Sequence, residues 1–168
     1  MFKIGECVVY EGKGVCEIKD IVDAPFPGMS KDKKYYMMQP VYSKGSQVYT
    51  SVDNDKVIMR KVLEKAEAEE LIAKIPSVPV MAETNERERE QLIKDAIKTC
   101  DCVELIKVIK TVYMRRQSRM DCGKKVLASD ERFLQAAEKN LYEELGYALS
   151  MEPKSVSAYI TEKIEVLD

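Results

Sequence analysis

KIGECVVYEGKGVCEI, residues 3–18, decides how the front of the chain folds. Cys7–Tyr10 and Gly14–Ile21 are runs of β-branched and aromatic residues. Such runs fit a pleated, half-buried surface. Glu11-Gly12-Lys13-Gly14 between them is a tight connection, because glycine reaches backbone conformations that other residues resist. Working outward, KYYMMQPVY (Lys34–Tyr42), QVYTSV (Gln47–Val52) and KVIMR (Lys56–Arg60) repeat the pattern. Pro25-Phe26-Pro27-Gly28 opens a longer loop, Ser43-Lys44-Gly45-Ser46 suits a hairpin, and Asp53-Asn54-Asp55 can close an Asx-type turn. Five short strands at this spacing predict a small SH3/Tudor-like β-barrel over residues 1–61.

From Val62 the apolar period changes to that of a helix. Leu71, Ile72 and Ile75 form a stripe that Pro76 ends, and Ser77-Val78-Pro79-Val80 is a stiff connection. Residues 62–80 therefore read as a short helix and linker. Residues 81–168 read as a compact all-α domain, so the fold class is α+β. Thr84 or Asn85 can cap a helix reaching about Thr99. A second helix runs from about Cys102 to Arg119, with Val103, Ile106, Ile109, Val112 and Tyr113 expected inward. A third starts at Ser129, a good N-cap, with Phe133, Leu134, Ala137, Leu141 and Leu145 as its core stripe. Asp130 and Glu131 suit the positive end of that helix. Pro153 fits the first position of a last helix.

Composition narrows the chemistry. The 168 residues include no histidine, which removes Ser-His-Asp and Cys-His nucleophile activation and the commonest transition-metal ligand. Five cysteines, Cys7, Cys16, Cys100, Cys102 and Cys122, lack CxxC spacing and read as small buried hydrophobes rather than a disulfide framework or zinc site. Seven scattered glycines form no phosphate loop. We expect no enzyme, no cofactor, no metal and no small-molecule substrate. No apolar run reaches the roughly 20 residues that span a bilayer. Met1 leads directly into polar, strand-like sequence, so neither a secretory leader nor a membrane partner is expected, and the expected location is cytoplasmic. The net charge is −2, with +2 over residues 1–65 and −4 over 66–168. Nucleic-acid binding would have to come from a local patch.

Taken together, KIGECVVYEGKGVCEI, KYYMMQPVY, QVYTSVDNDKV (Gln47–Val57), ELIKVIKTVYMRRQ (Glu104–Gln117) and KKVLASDERFLQAAEKNLYEEL (Lys124–Leu145) resemble the CarD/CdnL family of bacterial transcription regulators, in the same order along the chain. A related barrel occurs in the transcription-repair coupling factor, but the helical half and the lack of an ATPase motor separate this chain from that helicase. The resemblance implies that the barrel binds the lobe of the RNA polymerase β subunit. It further implies that the helical domain contacts promoter DNA at the upstream edge of the bubble and changes open-complex stability. The alternative is a protein–protein adaptor whose helical domain does not contact DNA.

For polymerase docking the candidate is the strand Gln47, Val48, Tyr49, Thr50, Ser51 and Val52, with Lys34 and Tyr36 on its neighbour. An edge strand can pair with a partner strand, whereas an internal one cannot. Family members often carry arginine where Tyr49 stands. For DNA, Arg87, Lys94 and Lys98 recur with Gln91 along one helical stripe, Arg89 lies beside them, and Glu86, Glu88 and Glu90 dilute the charge. A denser group comprises Lys107, Lys110, Arg115, Arg116, Arg119, Lys124 and Lys125. Arg115, Arg116 and Arg119 could equally complement the negative end of their helix. Contact with phosphates from these positions would be weak and poor in sequence information. Family members that stabilise the bubble carry a tryptophan wedge near the start of this helical domain. This chain has no tryptophan. Aligning on Thr84-Asn85 puts Glu86 there, with Met81 the apolar residue nearby.

Overall fold

The computed structural model describes residues 1–167, so Asp168, the last residue of the expected helical domain, lies outside the described residues. The chain divides into two compact units, one spanning Met1–Val62 and one beginning at Leu63.

The first unit is a five-stranded antiparallel half-barrel of β1 (Cys7–Tyr10), β2 (Gly14–Val22), β3 (Tyr35–Pro40), β4 (Val48–Ser51) and β5 (Met59–Lys61). The strand order is β4-β3-β2-β1-β5, so β4 and β5 stand at opposite edges. The expected barrel is thus an open sheet, without a β4–β5 ladder among the described residues. Gly12 and Gly14 both take positive φ, +76° and +73°, which closes the β1–β2 turn so tightly that Tyr10 pairs with Gly14. Val8, Cys16, Ile18, Tyr36 and Met38 form the core on one face. Alternation alone would put Asp20 on that face after Cys16 and Ile18. A bulge between Ile18 and Asp20 shifts the register by one residue, so Ile21 faces Tyr36 and packs on the core instead.

The second unit contains α1 (Lys65–Lys74), a 3-10 turn (Ile75–Ser77), α2 (Glu86–Lys98), α3 (Cys102–Asp121), α4 (Ala128–Leu149) and α5 (Pro153–Leu167). Its core draws Leu71 and Ile72 from α1, Ile93 from α2, Leu105 and Val112 from α3, Leu134, Leu141 and Leu145 from α4, and Val156 from α5. Each large apolar side chain buried this way contributes about 1.5–3 kcal/mol. Residues 62–80, expected as a separate helix and linker, supply Ala68, Leu71, Ile72 and Val78 to this core. α1 is therefore part of the helical body.

Two local expectations change, and one choice the sequence left open is decided. The stripe of α3 is Cys102, Leu105, Ile106, Val108 and Val112, while Val103 and Tyr113 lie on the exposed side. α4 begins two residues earlier than expected, with Leu127 at the N-cap and Ser129 inside the first turn. Asn85, rather than Thr84, caps α2 by accepting the Glu88 amide at 3.0 Å.

Candidate functional site

β4 is an edge strand, paired with β3 on one side only. Its register sets Tyr36 opposite Thr50 and Met38 opposite Val48. The Val52 amide donates to the Lys34 carbonyl at 3.0 Å, in the same register. In an antiparallel ladder, residues that exchange hydrogen bonds alternate with residues that do not. Thr50, Val48 and Val52 therefore point their main-chain groups at β3. The N–H and C=O groups of Tyr49 and the N–H of Ser51 point at the open edge, while the Ser51 carbonyl accepts the Asn54 amide at 3.0 Å. The same alternation divides the side chains. Val48 and Val52 pack on the sheet core, Thr50 is buried, and Tyr49 faces outward.

Tyr49 does not stand alone on the outer face. Phe26 meets it edge to face, with ring centroids 5.2 Å apart, and Phe26 remains 55% exposed. The Tyr49 hydroxyl donates to Gln47 Oε1 at 3.1 Å. At the end of the strand, the Ser51 hydroxyl and the Lys33 ammonium hold the Asp53 carboxyl below its usual range. Of the two candidates beside β4, Lys34, just before β3, is exposed and paired with Asp23. Tyr36 is a correction. It is 2% exposed in the sheet core, and its hydroxyl oxygen accepts the Phe2 amide at 2.9 Å, so it supports the edge without forming a contact surface.

The basic residues of the helical unit sort by their partners. Arg115 is largely enclosed: its side chain is only 18% exposed and its Nε lies 3.3 Å from the buried carboxylate of Asp130. Glu86 reaches its other side at 3.7 Å. Lys110, from the same dense run, donates to the carbonyls of Ile75, Pro76 and Val78 at 2.9, 3.2 and 2.5 Å. It caps the end of α1 and the 3-10 turn, where unpaired carbonyls gather. Lys107 pairs with Glu104, Arg116 with Glu131, and Lys94 with Glu90. The Lys94 ammonium holds the Glu90 carboxyl below its usual range. Arg119 donates through Nε to the Lys125 carbonyl at 2.7 Å, and Arg89 through Nη2 to the Thr84 carbonyl at 3.0 Å. Arg87, Lys98, Lys124 and Lys125 are exposed.

α2, the residues just before it and the end of α3 border an open cleft of about 540 Å³ lined by Glu83, Glu86, Arg89, Met114, Arg115, Ser118 and Arg119. Three of the basic candidates, from two separate sequence segments, meet there. Met81 does not join them. It packs against the helical core, and its amide donates to Thr111 Oγ1 at 2.9 Å, so it is not an exposed wedge. Met114, half exposed, is the apolar side chain of the cleft.

Sequence reasoning missed Phe26, Met114 and the partner role of Asp130. Asp130 carried a signal as an acid in a helix first turn, but nothing local joined it to Arg115. A pair of buried residues also escaped it: the Glu144 carboxylate accepts the Leu63 amide and the Cys102 thiol, both at 3.1 Å. No described helix is long and apolar enough to cross a membrane.

Residues 2–63 match the CarD-like/TRCF RID domain, an RNA polymerase-interacting domain. That stretch, the sheet unit, belongs to this family, and the match stops where the helical unit begins. A comparison with curated proteins finds no match for the chain.

Proposed function

We propose that this chain, which carries an RNA polymerase-interacting domain of the CarD-like/TRCF type, is a transcription regulator. In this reading it binds the lobe of the polymerase β subunit and contacts promoter DNA, thereby modulating open-complex stability. The observation that carries the docking half is the position of β4 at a sheet edge, within the segment that matches the family. An edge strand offers main-chain affinity, and its outward side chains add specificity. Here Tyr49 with Phe26 supplies aromatic area, the kind of contact that dominates interfaces. For the DNA half, the exposed cations Arg87, Lys98, Lys124 and Lys125, together with Arg116 and Arg119 at the end of α3, are the contact residues. Glu86 stands where the family has its wedge, and a carboxylate does not intercalate between base steps. The effect on the bubble is therefore expected to rest on phosphate contacts.

A second reading, a polymerase-bound adaptor that does not touch DNA, is favoured by the internal pairing of Lys94, Lys107, Lys110 and Arg115. One experiment separates the two. Polymerase is footprinted on a promoter, and open-complex lifetime is measured under competitor challenge, with wild-type protein and with a variant carrying glutamine at Arg116, Arg119, Lys124 and Lys125. The regulator reading expects retained polymerase binding, a shortened upstream footprint and a smaller lifetime effect. An unchanged footprint and lifetime would leave the adaptor reading. Tyr49→Asp is expected to abolish co-purification with polymerase, since an unpaired charge in a dry interface is costly.

A further inference from the structure

We infer that the cleft between α2 and the end of α3 is a phosphate-binding pocket, and that Glu86 acts as its internal competitor. Arg89, Arg115 and Arg119 converge on it, against the two carboxylates Glu83 and Glu86. Guanidinium forks match phosphate oxygens in geometry as well as charge. Two of the three are held in place by carbonyl groups: Arg89 Nη2 by Thr84 and Arg119 Nε by Lys125. Those bonds fix the guanidinium planes and leave their other N–H groups available, so less side-chain freedom is lost when an anion arrives. Arg115 is held from below by Asp130. On its outer side stands Glu86, 3.7 Å away and well exposed. That carboxylate occupies the place an incoming phosphate would take. With its carboxylate exposed and the separation at 3.7 Å, this pair is weak and easily exchanged. Ser118 adds a hydroxyl and Met114 an apolar wall.

The phosphate can belong to a nucleic-acid backbone or to a free phosphate compound. The backbone form rests on the DNA-facing half of the proposed function, and the free form does not. The test uses the full chain as wild type, Glu86→Gln, and the double variant Arg89→Gln with Arg119→Gln. Inorganic pyrophosphate binding is read by calorimetry. Duplex DNA binding is read by fluorescence anisotropy over a salt series, and melting curves check the fold. Glu86→Gln is expected to tighten both ligands by about threefold, a gain that loss of fold cannot produce. The double variant is expected to weaken both and to reduce the DNA salt slope by about 1 for each phosphate that is no longer neutralised. If pyrophosphate responds to the variants but duplex DNA does not bind, the pocket stands and the DNA-facing reading fails. If DNA binds, ignores Arg89, Arg119 and Glu86, and weakens instead with Arg87→Gln and Lys98→Gln, the pocket is overturned and the DNA-facing reading stands. If neither ligand responds to Glu86→Gln, its role as competitor is overturned.

Discussion

Proline at Tyr49 offers a direct way to ask whether the open edge of β4 is what meets polymerase. The ladder to β3 runs through Val48, Thr50 and Val52, so the Tyr49 amide donates to no strand within the sheet. Proline removes a backbone donor, and edge strands tolerate it where that donor faces away from the sheet. Tyr49→Pro should therefore leave the sheet folded, whereas Thr50→Pro, which removes a ladder donor, should not. The side chain must be separated from the amide, and Tyr49→Ala does this. Losing the tyrosine forfeits its edge-to-face contact with Phe26, about 0.5–1.5 kcal/mol of stability that both variants lose alike, and removes the tyrosine's own surface from the interface. Proline then removes one inter-chain hydrogen bond in addition, worth about 0.5–1.5 kcal/mol net, or about 2- to 13-fold in Kd. The assay is a Kd for RNA polymerase by biolayer interferometry, with circular dichroism melts of each variant. The expected order is wild type tightest, then alanine, then proline, with similar melting for the last two. Equal affinity of the alanine and proline variants would refute strand pairing at this edge, and docking would then have to proceed through side chains alone.

Two further outcomes concern the helical unit. Alanine in place of glycine within an exposed helix stabilises by about 1 kcal/mol, but Gly146→Ala should destabilise by about 1–3 kcal/mol in a thermal melt. A Cβ there would lie 2.8 Å from the Met151 carbonyl and 3.2 Å from the Pro153 nitrogen, both backbone atoms that cannot step aside cheaply. Glu143→Gln should raise Tm at neutral pH. Burial pushes the Glu143 carboxyl above its usual range, only partly opposed by Lys139. A folded-state value above the unfolded one means the native state favours the protonated form, so this group costs stability as pH rises past the ordinary carboxylate range. The gain from glutamine should shrink as pH falls to that range, and a gain independent of pH would contradict the burial argument.

Much of the architecture was legible along the chain because its causes are local. Asn85 before Glu86 and Pro153 at a first helical position act within one turn. The glycines of the β1–β2 turn act within four residues. The bulge at Ile18/Asp20 was not legible, since it shows only against the partner strand, and neither was the burial of Tyr36 on the core face. The edge position of β4 likewise depends on the order in which strands pair.

What the sequence alone determined, then, was the kind of each element and the supply of charge: short strands first, helices after, and a run of cations from Lys107 to Lys125. Which of those cations face outward was decided only by the tertiary structure. Lys110 is consumed by carbonyls more than thirty residues upstream, and Arg115 is held on one side by a carboxylate fifteen residues downstream. Arg89 and Arg119, apart in the chain, share one cleft. The physical reason is that periodicity reports which face of a helix is polar. Pairing depends instead on distances of a few ångströms across which Coulomb attraction and hydrogen bonding act, and those distances exist only once the helices have packed.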